Sequence, residues 1–201
     1  MSCTVARRRR AVVLAGHAGD EGTARAGLTD PDPGVRASAL GALARIGSLD
    51  EPTVARALHD RSPVVRRRAA ELSAEPGPLG EALGDPDPTV VEAACFALGE
   101  LGARAHPATA DLARVAATHP GPLCREAAVA ALGATGDPAG LPAVLAATAD
   151  KPAVRRRAVL ALAPFEGPEV DAALRRALSD RDWQVRQAAE DLLEPPAGTA
   201  V

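Results

Sequence analysis

The chain has 201 residues, of which 47% are hydrophobic, but it contains only two Phe, one Trp and no Tyr, so Ala, Leu and Val must fill its interior. This composition favours closely packed helices over sheets, which draw on aromatic and β-branched residues. A formal charge of −3 removes the general attraction to polyanions on which non-specific nucleic-acid binding depends.

The first predicted element is a helix over residues 4–16. It begins with four arginines, Arg7–Arg10, followed by apolar residues, which imitates an export signal, but the apolar stretch ends by His17 and is too short. Residues 8–12 resemble residues 66–70 further along the chain. We therefore predict an unpaired helix that caps the N-terminal end of a stack of helix pairs.

Six copies of one pattern follow this helix. The full pattern is an acidic residue, a turn with proline, and then Val-Arg at the start of an Ala-rich helix, as in Asp30–Arg36 and Asp60–Arg66, and the other four copies vary it. We number each copy from its arginine, or the residue in that place, as position zero. Position +3 is then alanine in every copy: Ala39, Ala69, Ala94, Ala128, Ala158 and Ala189. Positions −1, +3 and +7 share one helix face, so this second helix of each pair presents a thin alanine stripe to its neighbours.

A first helix precedes each second helix and ends near a leucine two residues before the acidic position, as at Leu58 and Leu178. Proline marks the helix starts and glycine the breaks between pairs. The predicted helix pairs, in chain order, are residues 20–46, 50–74, 77–101, 106–134, 138–163 and 168–194. Residues 1–194 are predicted as a single domain, and residues 195–201 as a disordered tail.

The segments from Asp85 to Leu98-Gly99 and from Arg125 to Leu132-Gly133 resemble a HEAT repeat. A period near 30 resembles the phycobilisome-lyase-type subgroup of short HEAT-like repeats. The resemblance extends over residues 5–194. It implies an all-α, right-handed α-solenoid of about six antiparallel helix pairs plus the N-terminal capping helix.

In HEAT-like repeats, recurring Asp and Arg residues resemble a ladder that links neighbouring repeats. An Asp at a helix start can also accept hydrogen bonds from unpaired backbone N–H groups, so Asp60→Ala is predicted to cost about 1 kcal/mol. Val91 and His119 interrupt the two columns. The predicted ladder residues are Asp30, Arg36, Asp60, Arg66, Asp85, Arg125, Arg155, Asp180 and Arg186.

The sequence offers no motif for catalysis, for a cofactor or for a metal. Four histidines stand at different registers, outside any HExxH motif or Cys/His cluster. Deoxyhypusine hydroxylase, a HEAT-like enzyme family, is marked by His-Glu pairs, and the nearest approximation here is His59-Asp60. We therefore expect no enzyme activity, although a phycobilin-lyase-like chromophore-handling protein and an alkylated-DNA glycosylase of HEAT-like type remain alternatives.

The face opposite the alanine stripe, at positions +1 and +5, is predicted to line a concave groove. Its charge runs basic, acidic, basic along the chain, with apolar residues near the centre, which suits a peptide or protein partner. The candidate groove residues are Arg67, Glu71, Glu92, Phe96, Glu126, Arg156, Leu160 and Gln187. We expect a protein-binding scaffold that is monomeric and binds neither nucleic acid nor membrane.

Three cysteines, Cys3, Cys95 and Cys124, form no CxxC pair, which fits a reducing cytoplasm. No stretch approaches the roughly 20 apolar residues needed to span a bilayer.

Overall fold

The computed structural model describes residues 3–193, which form helices and no strand. The predicted all-helical fold, a capping helix followed by six helix pairs, is confirmed. The helices are α1 (Cys3–Ala18), α2 (Glu21–Gly27), α3 (Pro33–Ile46), α4 (Glu51–Leu58), α5 (Pro63–Leu72), α6 (Pro76–Ala82), α7 (Pro88–Leu101), α8 (Thr109–Thr118), α9 (Pro122–Thr135), α10 (Leu141–Ala147), α11 (Pro152–Ala161), α12 (Pro168–Ala177) and α13 (Trp183–Leu193). Short 3-10 segments at Gly102–Ala108 and Pro138–Gly140 precede α8 and α10.

The chain divides into two compact units, a first unit (Met1–Ala97) and a second unit (Leu98–Val201). The boundary lies within α7. The single domain over residues 1–194 stays a prediction, and the predicted tail, residues 195–201, lies outside the described residues. No helix within residues 3–193 is both long and apolar enough to cross a membrane.

Helix boundaries follow local signals in the sequence. Asp20, Asp32 and Asp50 cap α2, α3 and α4, because the side chain of each accepts a hydrogen bond from a backbone N–H two or three residues on. Gly47 ends α3 with a left-handed backbone (φ 80°), a conformation that glycine adopts without steric cost. Asp32 therefore marks the break between the two helices of the first pair, whereas Asp20, Gly47 and Asp50 mark breaks before or after a pair.

The alanine stripe lies in the core of each unit. All six alanines at position +3 are 0% exposed, and the residues at position −1 are at most 2% exposed. The exceptions to the predicted apolar faces are in the last pair, where Leu178 and Leu193 are 38% and 39% exposed. Their exposure shows that the helical spacing of apolar residues identifies the apolar face of a helix but does not show whether another helix covers that face.

Second helices approach one another closely within each unit. A Cβ atom added to Gly133 of α9 would lie 2.7 Å from Cα of Ala161 on α11, and one added to Gly16 of α1 would lie 2.8 Å from Cα of Ala42 on α3. Real Cβ atoms essentially never come this near to a backbone atom. These glycines therefore let the helix backbones pack directly against each other.

Candidate functional site

A recurring set of hydrogen bonds links the acidic residue of one pair to the arginine of the pair before it. Arg36 donates from Nε (2.8 Å) and Nη2 (2.7 Å) to the two carboxylate oxygens of Asp60, and from Nη1 (2.9 Å) to the carbonyl oxygen of Asp30. The same fork, with distances of 2.7–2.8 Å, joins Arg66 to Asp85, Arg125 to Asp150, and Arg155 to Asp180. Each of these pairs lies within one unit.

The predicted ladder lacked two residues that the structure places in it, Arg8 and Asp150. Arg8 of α1 donates from Nε (2.7 Å) and Nη2 (3.0 Å) to Asp30. The resemblance of residues 8–12 to residues 66–70 already placed Arg8 at position zero. The capping helix therefore takes the place of a second helix in bonding as well as in register.

The acidic residues do not act as helix N-caps in the way expected. Helix α5 begins at Pro63, three residues after Asp60, so its N-cap is Ser62 rather than Asp60. The side chain of Ser62 makes no capping hydrogen bond. Asp60 accepts instead from the backbone N–H of Ser62 (2.8 Å) and from Arg36. Asp60 thus shapes the turn and binds the preceding pair, and its contribution to stability comes mainly from the ion pair.

The arginines keep the ladder carboxylates ionised. Hydrogen bonds from Arg125 and Arg155 lower the pKa of Asp150 and Asp180. Burial raises the pKa of Asp60 and Asp85, but the hydrogen bonds from Arg36 and Arg66, with those from the turn, outweigh burial and leave each pKa below its ordinary value.

These shifts predict a loss of stability in acid. A carboxyl whose pKa is lower in the folded than in the unfolded chain stabilises the fold fully above the unfolded pKa, about 3.9 for Asp, and loses that effect as the pH falls through the folded pKa. We expect the melting temperature, followed by circular dichroism from pH 7 to pH 3, to fall below about pH 4. Asp60→Asn should show a shallower fall, and equal slopes for the variant and the wild type would contradict this role.

A groove of about 510 Å³ crosses the second helices of the first unit, between α1, α3, α5 and the start of α7. We call it the arginine groove. Its wall contains positions +1 and +5 of α1, α3 and α5, together with neighbouring residues. The charged lining consists of Arg9, Arg45, Arg67, Arg68, Glu71 and Asp87.

Glu71 is the centre of this lining. It accepts from Nε of Arg67 (2.8 Å) and from Nη1 of Arg68 (2.9 Å). Burial raises the pKa of Glu71, but the hydrogen bonds from these two arginines outweigh burial. The pKa is therefore below its ordinary value, and the carboxyl is held ionised. Arg68 lies over Gly41, where a Cβ atom would be 2.8 Å from its Nη2 atom.

Arg9 and Arg45 are the groove arginines that have no carboxylate partner among residues 3–193. Arg9 is exposed and donates from Nε to the hydroxyl of Ser38 (3.1 Å). Arg45 is exposed and makes no hydrogen bond or ion pair with the residues that the structure describes. The groove therefore has four guanidinium groups against two carboxylates.

The structure brings only part of the predicted groove set together. Arg67 and Glu71 are in the arginine groove, whereas Phe96, 68% exposed, and Glu92, half-buried, are on α7 outside its lining.

Four of the predicted groove residues belong to the second unit. There Glu126 is 3.6 Å from Arg157, Gln187 donates to Asp191 (2.8 Å), and Leu160 is 37% exposed. Arg156 is half-buried.

Sequence reasoning missed most of the lining residues, among them Arg9, Val13, Arg45 and Arg68. The register of α1 could have identified two of them, because Arg8 at position zero puts Arg9 at +1 and Val13 at +5. Arg45 and Arg68 stand at other positions, and no spacing rule points to them.

Comparison with known families decides the type of repeat. HEAT repeats match residues 76–153, and the PBS lyase HEAT-like repeat matches residues 154–180. This chain is a HEAT-repeat protein. The resemblance drawn from the sequence, including the short phycobilisome-lyase-type subgroup, is confirmed.

Solved structures share the fold of this HEAT-repeat protein at low identity. A designed armadillo repeat protein in complex with the peptide (KR)4 is 17% identical, with a TM-score of 0.64 over 84% of this chain and 95% of that chain. Escherichia coli YibA is 16% identical, with a TM-score of 0.62 over 94% and 73%. Human deoxyhypusine hydroxylase in complex with glycerol is 23% identical, with a TM-score of 0.51 over 92% and 77%. Comparison with curated proteins finds no match.

The hydroxylase shows that proteins of this fold include enzymes, so the fold alone does not decide catalysis. Between residues 3 and 193, no three His, Cys, Asp or Glu side chains are grouped so that they could hold a metal ion.

Proposed function

We propose that this HEAT-repeat protein is a non-catalytic interaction module whose arginine groove binds an acidic segment of a partner protein. The observation that carries the proposal is the excess of arginine in the lining, four guanidinium groups against two carboxylates. Repeat proteins of this type commonly use such extended surfaces for binding.

Arg9 and Arg45 are the residues on which binding should depend most. Both are exposed, and neither is neutralised by a carboxylate within the described chain. Arginine forms bidentate hydrogen bonds with carboxylates, which gives geometric specificity as well as charge attraction. Arg67 and Arg68 form ion pairs with Glu71. They would add to the local positive potential while keeping those ion pairs.

The designed armadillo repeat protein offers a useful contrast. Its bound peptide, (KR)4, is strongly basic. Because the arginine groove has an excess of positive charge, as that peptide does, an acidic peptide is the matching probe, and (KR)4 is a suitable negative control.

A binding experiment tests this proposal. We expect a fluorescein-labelled peptide of alternating Asp and Glu to bind the full chain in a fluorescence anisotropy titration, and to bind less tightly as salt is raised. The double variant Arg9→Glu with Arg45→Glu should weaken binding at least about tenfold, because two attractive contacts become repulsive.

The matched control is Arg10→Glu with Arg56→Glu, which makes the same charge change outside the groove lining and should bind like the wild type. Arg156→Glu tests whether the predicted residues of the second unit take part, and unchanged affinity would limit the site to the first unit. Equal binding of acidic and neutral peptides, or tighter binding of alkylated duplex DNA at physiological salt, would contradict the proposal.

We also propose a cytoplasmic location for this protein. The support is the cysteine usage, since Cys95 and Cys124 are buried in apolar helices, as is typical of reduced proteins. Fractionation of cells that produce the tagged chain would test it.

A further inference from the structure

One face of α13 has four side chains at the spacing of a helix–helix contact: Trp183, Arg186, Glu190 and Leu193. Their offsets of three, four and three residues place them along one stripe of the helix. Trp183 is 64% exposed, Leu193 39%, and Glu190 is exposed. Val185 and Ala188 are packed against the rest of the second unit, with Ala188 on the opposite face, and Leu193, at position +7, lies at the edge of the stripe beside that buried face. We call these four residues the α13 stripe.

The α13 stripe differs from the same face of the other second helices. In those five helices, position +4 is an apolar residue that is at most 1% exposed: Leu40, Ala70, Cys95, Val129 and Val159. In α13 this position is Glu190. A charged residue therefore stands where every other pair buries an apolar one.

Arg186 is the second unusual feature of the stripe. Its Nη1 atom donates to the carbonyl oxygen of Asp180 (2.8 Å), which is the bond that orients Arg36, Arg66, Arg125 and Arg155 as well. In those four arginines, Nε and Nη2 hold a carboxylate, whereas in Arg186 they have no acceptor within residues 3–193. The guanidinium group is thus preset to receive a carboxylate.

The stripe is complementary to itself. If two copies of α13 cross antiparallel about a twofold axis that passes through the stripe at the level of residue 188, Arg186 faces Glu190 of the second copy and Trp183 faces its Leu193. The symmetry repeats each contact, which is the defining property of a twofold interface between identical chains. We propose that the protein forms a homodimer through the α13 stripe.

A different arrangement of two copies fits less well. The capping helix α1 contains four arginines and no acidic residue, so stacking α1 of one copy on α13 of another would offer Arg186 no carboxylate from that helix. Because one short helix from each copy gives a small interface, the dimer should exchange rapidly with monomer. This proposal departs from the monomer expected from the sequence, and it does not depend on the function proposed for the arginine groove.

Sedimentation velocity of the full chain tests the dimer over about 5 to 500 µM, the range of a weak association. We expect dimer at the upper end. Arg186→Glu and Glu190→Arg should each reduce the association constant at least about tenfold, since each creates two like-charge contacts. The double variant, with the charges exchanged, should return within about threefold of the wild type, because the pairs are restored.

Two controls make the same charge changes outside the stripe. Arg175→Glu on α12 and Asp191→Arg on α13 should leave the association constant unchanged. Trp183 is the single tryptophan of the chain, so its fluorescence emission should shift to shorter wavelength as the dimer forms. Circular dichroism verifies that each variant is folded. A wild type that stays monomeric throughout, or a double variant as weak as the single ones, would overturn the proposal.

Discussion

Replacing Asp60 with alanine is expected to lower the free energy of unfolding by about 2–3 kcal/mol, somewhat less than the 3–5 kcal/mol typical of a fully buried pair. The side chains of Arg36 and Asp60 are 8% and 17% exposed. Removing the carboxylate leaves Nε and Nη2 of the nearly buried arginine without their acceptor, and the backbone N–H of Ser62 also loses its acceptor. This loss exceeds the roughly 1 kcal/mol expected for a helix cap alone.

Chemical denaturation of the wild type and the variant, followed by circular dichroism, measures this difference. The matched control is Asp111→Ala, which removes a carboxylate 3.0 Å from Arg114 in a pair that is about half exposed on both sides. Solvent screens such pairs, so the control should change stability little. If both variants lost the same small amount, the ladder would contribute no more than an ordinary surface pair.

Gly133→Ala is expected to destabilise the protein by about 1–3 kcal/mol, as for other overpacked positions. The new methyl group would lie 2.7 Å from Cα and Cβ of Ala161, and 3.0 Å from its carbonyl oxygen. Backbone atoms cannot turn aside as a flexible side chain can, so α9 and α11 would have to move apart.

Gly99→Ala provides the comparison for this variant. Its methyl group would meet Cα of Ala131 at 3.4 Å, an ordinary contact distance. Because alanine is favoured over glycine inside a helix by about 1 kcal/mol, Gly99→Ala should be neutral or stabilising in the same thermal denaturation experiment. Equal effects at both positions would show that the close approach at Gly133 relaxes easily.

The repeat pattern determined the helices and their buried faces. Helical period and burial are local properties, so Ala69 or Ala158 could be assigned to the core from spacing alone. Proline likewise marked helix starts, because its effect on the backbone is confined to one turn. Even the place of α1 as a second helix followed from five residues that resemble a later copy.

Only the tertiary structure decided which charged residues remain available for binding. Glu71 could have paired with several arginines, and its bonds to Arg67 and Arg68 leave Arg9 and Arg45 without a carboxylate in the described part of the chain. It also decided that Leu178 and Leu193 are exposed although they continue an apolar face. The physical reason is that period fixes the direction of a side chain from its own helix, whereas pairing and exposure depend on what another part of the chain places in front of it.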